Sequence, residues 1–253
     1  MYITSGALLS MFRRTDNTLP PTFFFHIPKC AGSSMWESIL DIYGYFNVFI
    51  VSTHREQRQL AGMSKSRLRS YLAIGGHGFL QEYRTLLGDL SDYRKIAVFR
   101  DPTDRLISEY NFIRRTKKHF LFDRVSRQSF PEFVSSGWRN TQTHILTGRE
   151  DDLEGAIDLI NNFFDDWALM DDLERLIERL YLSCGKKPRP IQHKNKSAAV
   201  ERRSISRSSD IVQLMEEYQG GDLRLFDYLQ SLRTRDEGSS AREPQVARAI
   251  FQQ

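Results

Sequence analysis
The sequence predicts an α/β domain: a mostly parallel sheet with helices on both faces. Three observations carry that expectation. The apolar run Phe23, Phe24, Phe25 and Ile27 passes through a turn of small residues into a helical face of Met35, Ile39, Ile42 and Tyr43. A second run, Lys95–Phe99, passes through Arg100 and Asp101 into a face of Leu106, Ile107, Tyr110 and Ile113. The chain of 253 residues, 40% hydrophobic and 27% charged, suits one such core.

Chemistry begins where the first unit turns. Aromatic and branched side chains at 23–27 fit a covered, pleated surface, so they read as a buried strand. Pro28, Lys29, Cys30, Ala31, Gly32, Ser33 and Ser34 follow. Strand, small-residue loop and helix start together point free backbone N–H groups at an anion. Lys29 adds a mobile charge, and the hydroxyls of Ser33 and Ser34 add donors. Residues 29–34 therefore read as a phosphate cradle. The ATPase cradle does not fit, because G-x-x-x-x-G-K-[ST] puts its Lys after the second Gly, whereas Lys29 precedes Gly32. His26, in the strand before the loop, reads as structural.

In the second unit Asp101 suits an N-cap, Pro102 the first helical position and Asp104 the acid of a capping box. Arg100 then ends the strand, and Ser108 lies about two turns along the helix. A guanidinium fork and a hydroxyl that converge there make a second phosphate site. Arg105 and Arg114 read as surface residues of a solvated helix. Two such sites, about 70 residues apart, fit one ligand with phosphates at two ends. In an open α/β sheet both lie beyond the carboxyl ends of the strands.

The net charge of +4 fits an anionic ligand but is too mild to imply nucleic acid. Residues 150–178 carry eleven acids against one base, Arg175, and read as a solvated helical face backed by Leu153, Ile157, Ile160 and Phe164. Residues 184–207 reverse the balance, with eight bases against Glu201. Two cysteines, Cys30 and Cys184, exclude a disulfide framework, and the scattered His and Cys give no metal-ligand spacing. A helix N-terminus and Lys29 would lower the pKa of Cys30, but no Arg completes a C-x5-R loop, so Cys30 reads as a loop residue. No apolar run reaches the roughly 20 residues of a membrane span. Residues 1–21 read as an extension, 22–233 as the domain, and 234–253 as a polar linker with a short terminal helix. A cytoplasmic location is expected.

Pro-Lys-x-x-Gly-x-Ser after His26 and Ile27 resembles the loop by which PAPS-dependent sulfotransferases hold the 5′-phosphosulfate of 3′-phosphoadenosine 5′-phosphosulfate (PAPS). Arg-Asp-Pro-x-x-Arg-x-x-Ser-x-Tyr, residues 100–110, resembles their segment for the 3′-phosphate. His77 lies between glycines after an apolar run. From the residues alone it is either a turn residue or a base suited to an acceptor hydroxyl. Gly76-His77-Gly78-Phe79-Leu80 resembles the catalytic-base segment of the carbohydrate, Golgi-type sulfotransferases, nearest the heparan or uronyl 2-O-sulfotransferase branch. That implies His77 as the base. The 138–148 stretch resembles the one lining the acceptor side of the cleft, which implies Asn140 and Gln142 as substrate-binding. Lys186–Lys196 falls where the family closes a loop over the nucleotide, which implies Lys194. Residues 164–180 and 222–229 resemble later helical segments, so the match runs from Thr22 to Leu229. Cys30 and Ala31 depart from the commoner Thr-Ala/Gly, and the absence of an anchor implies a soluble, bacterial relative.

The resemblance implies a P-loop NTPase-like fold and in-line sulfuryl transfer from PAPS to an acceptor hydroxyl, releasing adenosine 3′,5′-bisphosphate (PAP). Lys29 would neutralise the bridging oxygen, Cys30 to Ser34 would hold the 5′-phosphate, and Arg100 with Ser108 the 3′-phosphate. No metal is required. The acceptor is expected to be a sugar or polysaccharide, with no nucleic-acid partner. The rival expectations are a P-loop kinase using ATP and Mg²⁺, and a non-enzymatic module binding anionic glycan or nucleic acid through residues 186–207.

Overall fold
The structure, a computed structural model, describes residues 19–88, 90–190 and 208–238. Strand β1 (Thr22–Phe25) leads to α1 (Gly32–Tyr43), then β2 (Val48–Val51), α2 (His54–Ala61) and α3 (Lys65–Leu68). Next come β3 (Ala73–Gly76), α4 (Leu80–Leu87), β4 (Arg94–Phe99) and α5 (Pro102–Arg115). The short helices α6 (Phe122–Val125), α7 (Phe130–Ser135) and α8 (Thr141–Thr147) precede α9 (Leu153–Asn162), β5 (Asp166–Leu169), α10 (Leu173–Ser183) and α11 (Ser209–Gly238).

The strands form one sheet in the order β2-β3-β1-β4-β5, and every pairing is parallel. Helices pack around it, as the alternation of strand and helix patterns implied. Phe23, Phe24 and Phe25 are fully buried at its centre; each ring contributes about 1.5–3 kcal/mol by leaving water. Chain leaving β1 passes to the β2–β3 side, and chain leaving β4 passes to β5. The boundary between β1 and β4 is therefore the switch point, where open parallel sheets present a crevice. A second, smaller core joins α5 to α7 and the first half of α11 through Ile107, Tyr110, Phe133 and Met215.

Gly75 and Gly76 show why β3 carries glycines. Both have positive φ, 146° and 138°. A Cβ on Gly75 would lie 2.1 Å from the Phe24 carbonyl oxygen, and one on Gly76 would lie 2.0 Å from that of Val51. The close approach is to the neighbouring strands, so these glycines seat β3 between β1 and β2.

The acidic stretch 150–178 is not one helical face. It divides into α9, β5 and the start of α10, and its acids make specific pairs: Asp166 with Arg94 and Arg179, Asp165 with Lys95. Helix α11 departs from helical geometry at Gln219 (φ −130°, ψ 17°). There the Asn140 N–H donates to the Tyr218 carbonyl at 3.2 Å and the Asn140 Oδ1 accepts the Gly221 and Asp222 N–H groups, an insertion into the helical ladder of the kind that kinks a helix. The buried Gln219 amide donates to the Trp138 carbonyl at 2.8 Å. Its end reaches Gly238, beyond the boundary at 233 read from composition. No helix among the described residues is long and apolar enough to cross a membrane.

Candidate active site
The carboxyl ends of β3, β1 and β4 lie side by side, and each delivers one part of the site. In the loop after β1, Lys29 and Ala31 have positive φ, 70° and 57°, a conformation costing a non-glycine residue about 1–3 kcal/mol. The Cys30 N–H donates to the Ile27 carbonyl, and the Ala31 carbonyl accepts from Ser34 and Met35, each at 3.1 Å. Ala31 is the N-cap of α1, with no side-chain cap and no acid in the first turn. The first N–H groups of α1 and the positive end of its dipole are thus left for an outside acceptor.

Gly32 is required by His26. A Cβ there would lie 1.8 Å from His26 Nε2. The His26 ring stacks on Phe24 at 5.5 Å and meets the His77 ring edge-on at 4.3 Å. Burial, then the charges of His77 and Lys29, push its pKa down to about 3. A neutral imidazole, with Nδ1 buried and unpartnered, therefore packs the inside of the loop.

Lys29 Nζ rests 4.0 Å from the centroid of the Phe112 ring. Burial lowers its pKa, Glu109 pulls it back, and Arg100, Arg115 and Arg105 lower it further. The buried Arg100 donates from its guanidinium to the Lys29 carbonyl at 3.0 Å. The two phosphate motifs are in direct contact.

Gln142 fastens them together. Its Oε1 accepts the Arg100 N–H at 3.1 Å and the Cys30 thiol at 3.7 Å, while Nε2 donates to the Arg100 carbonyl at 2.9 Å. Its own N–H donates at 2.7 Å to Asp222 of α11, which also accepts from the Thr143 N–H and hydroxyl. Asp222 is buried; desolvation raises its pKa and the Thr143 and Gln142 hydrogen bonds oppose the rise. Asn140 donates to the Glu150 carbonyl at 2.8 Å and accepts from the Gly221 and Asp222 N–H groups. The side chains of Asn140 and Gln142 are thus engaged within the protein.

Two expectations are corrected. The pKa of Cys30 is raised, to about 12, because complete burial outweighs the nearby positive charges. Arg105 is no surface residue: it is 1% exposed, with its guanidinium on Glu109 at 2.8 Å and on the Thr141 hydroxyl at 3.1 Å. Arg114 is exposed as expected. Asp101 caps α5 by accepting the Asp104 N–H at 2.8 Å, with Pro102 next. Ser108 is half-buried on that helix.

His77 follows β3 with its backbone fixed on both sides. Its N–H donates to the Val51 carbonyl at 2.7 Å, and its carbonyl accepts from the Tyr83 hydroxyl at 2.9 Å. Burial and Lys29 lower the imidazole pKa, against a smaller upward pull from Glu109. A neutral ring near Lys29 can accept a proton.

The loop residues Lys29–Ser34, Arg100 and His77 thus come together, and Asn140 and Gln142 stand behind them. Lys186 donates to the Ile42 carbonyl and Arg189 pairs with Asp41. Both lie at the far end of α1 from the loop. Lys194 is outside the described residues. Sequence reasoning missed Glu109, Phe112 and the polar role of Asp222. Glu109 and Phe112 fall four residues after Arg105 and Ser108, a helical spacing that could have flagged them; nothing local marks Asp222.

A sequence-family model described as the sulfotransferase family matches residues 20–229. Among solved structures, the chain resembles a mouse sulfotransferase, SULT7A1, in complex with PAP, at 13% identity and a TM-score of 0.42. The match covers 74% of this chain and 64% of that one, so it spans just under two thirds of the relative's length. No curated protein matches the chain.

Proposed function
The chain belongs to the sulfotransferase family, and from that premise we propose that it moves a sulfuryl group from PAPS to an acceptor hydroxyl, releasing PAP. The observation that carries the reading is the 3.0 Å contact between the Arg100 guanidinium and the Lys29 carbonyl. It brings the two motifs close enough for one nucleotide with two phosphate ends. The residues present fit such a ligand: an uncapped helix start, a buried guanidinium and a lysine with a depressed pKa that an anion would restore.

PAPS supplies an activated sulfuryl group on its 5′-phosphate. The backbone N–H groups of 31–33 and the hydroxyls of Ser33 and Ser34 bind that phosphate. Arg100 and Ser108 take the 3′-phosphate, with Lys194 of the basic stretch closing over it. His77 accepts the acceptor's proton as the new O–S bond forms. Lys29 swings from Phe112 to neutralise the bridging oxygen as the old S–O bond breaks. Gln142 acts through Arg100 and Cys30, by fixing their spacing. The acceptor is a carbohydrate hydroxyl, a reading supported by the segment around His77 and its likeness to the Golgi-type enzymes.

Calorimetry with PAP and with ATP–Mg²⁺ tests the nucleotide. Tight PAP binding with weak ATP–Mg²⁺ binding is expected, and the reverse order would make the protein a kinase. His77→Ala should keep PAP affinity and lose about 10²–10⁴-fold in transfer rate. Loss of both would make His77 structural.

A further inference from the structure
We propose that the cleft beside His77 is the acceptor subsite, and that the unit it takes is an uncharged ring alcohol with one apolar face, such as a neutral pyranose, in preference to an acidic sugar. This rests on the sulfuryl-transfer reading above. The cleft measures about 480 Å³ and lies between α2 and α4, with His77 in its wall. Sheet order explains its position. Arg100 ends β4, the Lys29 loop follows β1, His77 ends β3, and Val51 of the cleft ends β2. Nucleotide groups, base and cleft thus run in one line along the carboxyl edge of the sheet, with the base between donor side and cleft.

The lining fixes the chemistry of the guest. Val51, Leu60 and Tyr83 make an apolar floor, while the amides of Gln57 and Gln81 and the hydroxyl of Thr85 stand around it. An apolar surface with neutral donors and acceptors about it matches a ring whose face is C–H and whose rim is hydroxyl. Its charges are Arg58 and Glu82, one of each sign, with His54 sharing a hydrogen bond with Gln57 at 2.8 Å. The lining residues themselves therefore carry no excess of positive charge to draw in an acid, and Lys29 lies beyond His77 on the donor side. Glu82 lies on the His77 side: its carboxylate accepts the Phe79 N–H at 3.2 Å and would be 3.1 Å from a Cβ at position 78. Gly78 leaves that space open, with φ 143°. A uronate next to His77 would face Glu82 across it.

The probes are methyl β-glucoside and methyl β-glucuronide, titrated into the PAP-saturated protein while the His77 imidazole resonance is followed by NMR. The expected result is a saturable shift with the glucoside and at least fivefold weaker binding of the glucuronide. Ala61→Trp, at an exposed position on the rim, should weaken the glucoside tenfold or more without changing PAP affinity. Glu82→Gln keeps the acceptor for Phe79 and should narrow the gap between the two sugars. The proposal is overturned if the glucoside gives no saturable shift, if Ala61→Trp leaves its affinity unchanged, or if the glucuronide binds as tightly. Failure of PAP to bind in calorimetry would instead remove the sulfuryl-transfer reading, and this inference with it. Failure at the cleft with PAP binding intact would leave that reading standing.

Discussion
Two turns leave neighbouring parallel strands and are built on opposite plans. The loop after β1 leaves polar groups open: α1 has no side-chain cap, Lys29 and Ala31 sit at positive φ, and the Lys29 ammonium rests on an aromatic ring. The turn after β4 closes everything. Asp101 caps α5, Gln142 pairs with both backbone groups of Arg100, and Asp222 pairs with Gln142. A donor meant for a ligand must be unpaired when the ligand arrives, and each such group buried without a partner costs about 1–3 kcal/mol. A guanidinium that must point in one direction needs the reverse, a backbone fully satisfied by its neighbours. Backbone strain lies in the open loop, and rigidity is placed one strand away.

The largest break in that comparison is Lys29→Ala. Removing the open loop's one side-chain cation should lower kcat by about 10²–10³-fold, the scale of a lost transition-state charge partner, with PAP affinity changed far less. Near-normal kcat in a single-turnover assay would take Lys29 out of the chemistry. Arg100→Ala strikes the closed turn instead. It should weaken PAP by about 2–4 kcal/mol, the cost of truncating a buried charge-assisted contact, and calorimetry reads it directly. Unchanged PAP affinity would mean that the second phosphate site lies elsewhere.

Gln142→Leu separates position from contact. Its amide is engaged with Arg100 and Cys30, so the substitution removes its hydrogen bonds to the Arg100 N–H and carbonyl in the interior. A loss of about 1–3 kcal/mol in unfolding free energy is expected, along with weaker PAP binding and little direct effect on acceptor KM. A large rise in acceptor KM with normal stability would make Gln142 a substrate contact, the role that its resemblance alone implied.

Legibility in the sequence followed the same division. The open loop was readable because its function lies in local chain order: strand, Lys29, Gly32, two serines, helix. Asp101 and Pro102 were readable for the same reason, since a cap and a first-turn proline are local devices. The buried network was not. Gln142 meets Arg100 across 42 positions and Asp222 meets Thr143 across 79, and no periodicity carries such pairings. Arg105 was misread as exposed because residue type favours the surface, while its burial depends on Glu109 and on Thr141 of a separate helix. Cys30 was misread in sign for a related reason. The nearby charges were visible in the sequence, but the burial that outweighs them was not.

Acid gives the finest separation of the two turns. The open loop contains His26, whose folded pKa of about 3 lies below the ordinary 6.5. Between those values the unfolded chain binds more protons, so stability is present above pH 6.5 and is lost as pH falls through that window. The slope is at most about 1.4 kcal/mol per pH unit for one group. His77 adds to it in the same direction. The network behind the closed turn includes Asp222 of α11, whose folded pKa is raised above the ordinary 3.8, so there the folded state binds the extra proton and gains stability as pH falls. From pH 7 to 5 the two imidazoles should lower the melting temperature of the parent protein, and Asp222 acts against that decline. His26→Phe, which keeps a ring on Phe24 and removes the proton site, should flatten part of that decline. An equal decline in the variant would mean that His26 is charged in the folded loop, and the imidazole would then belong among the groups that meet the anion.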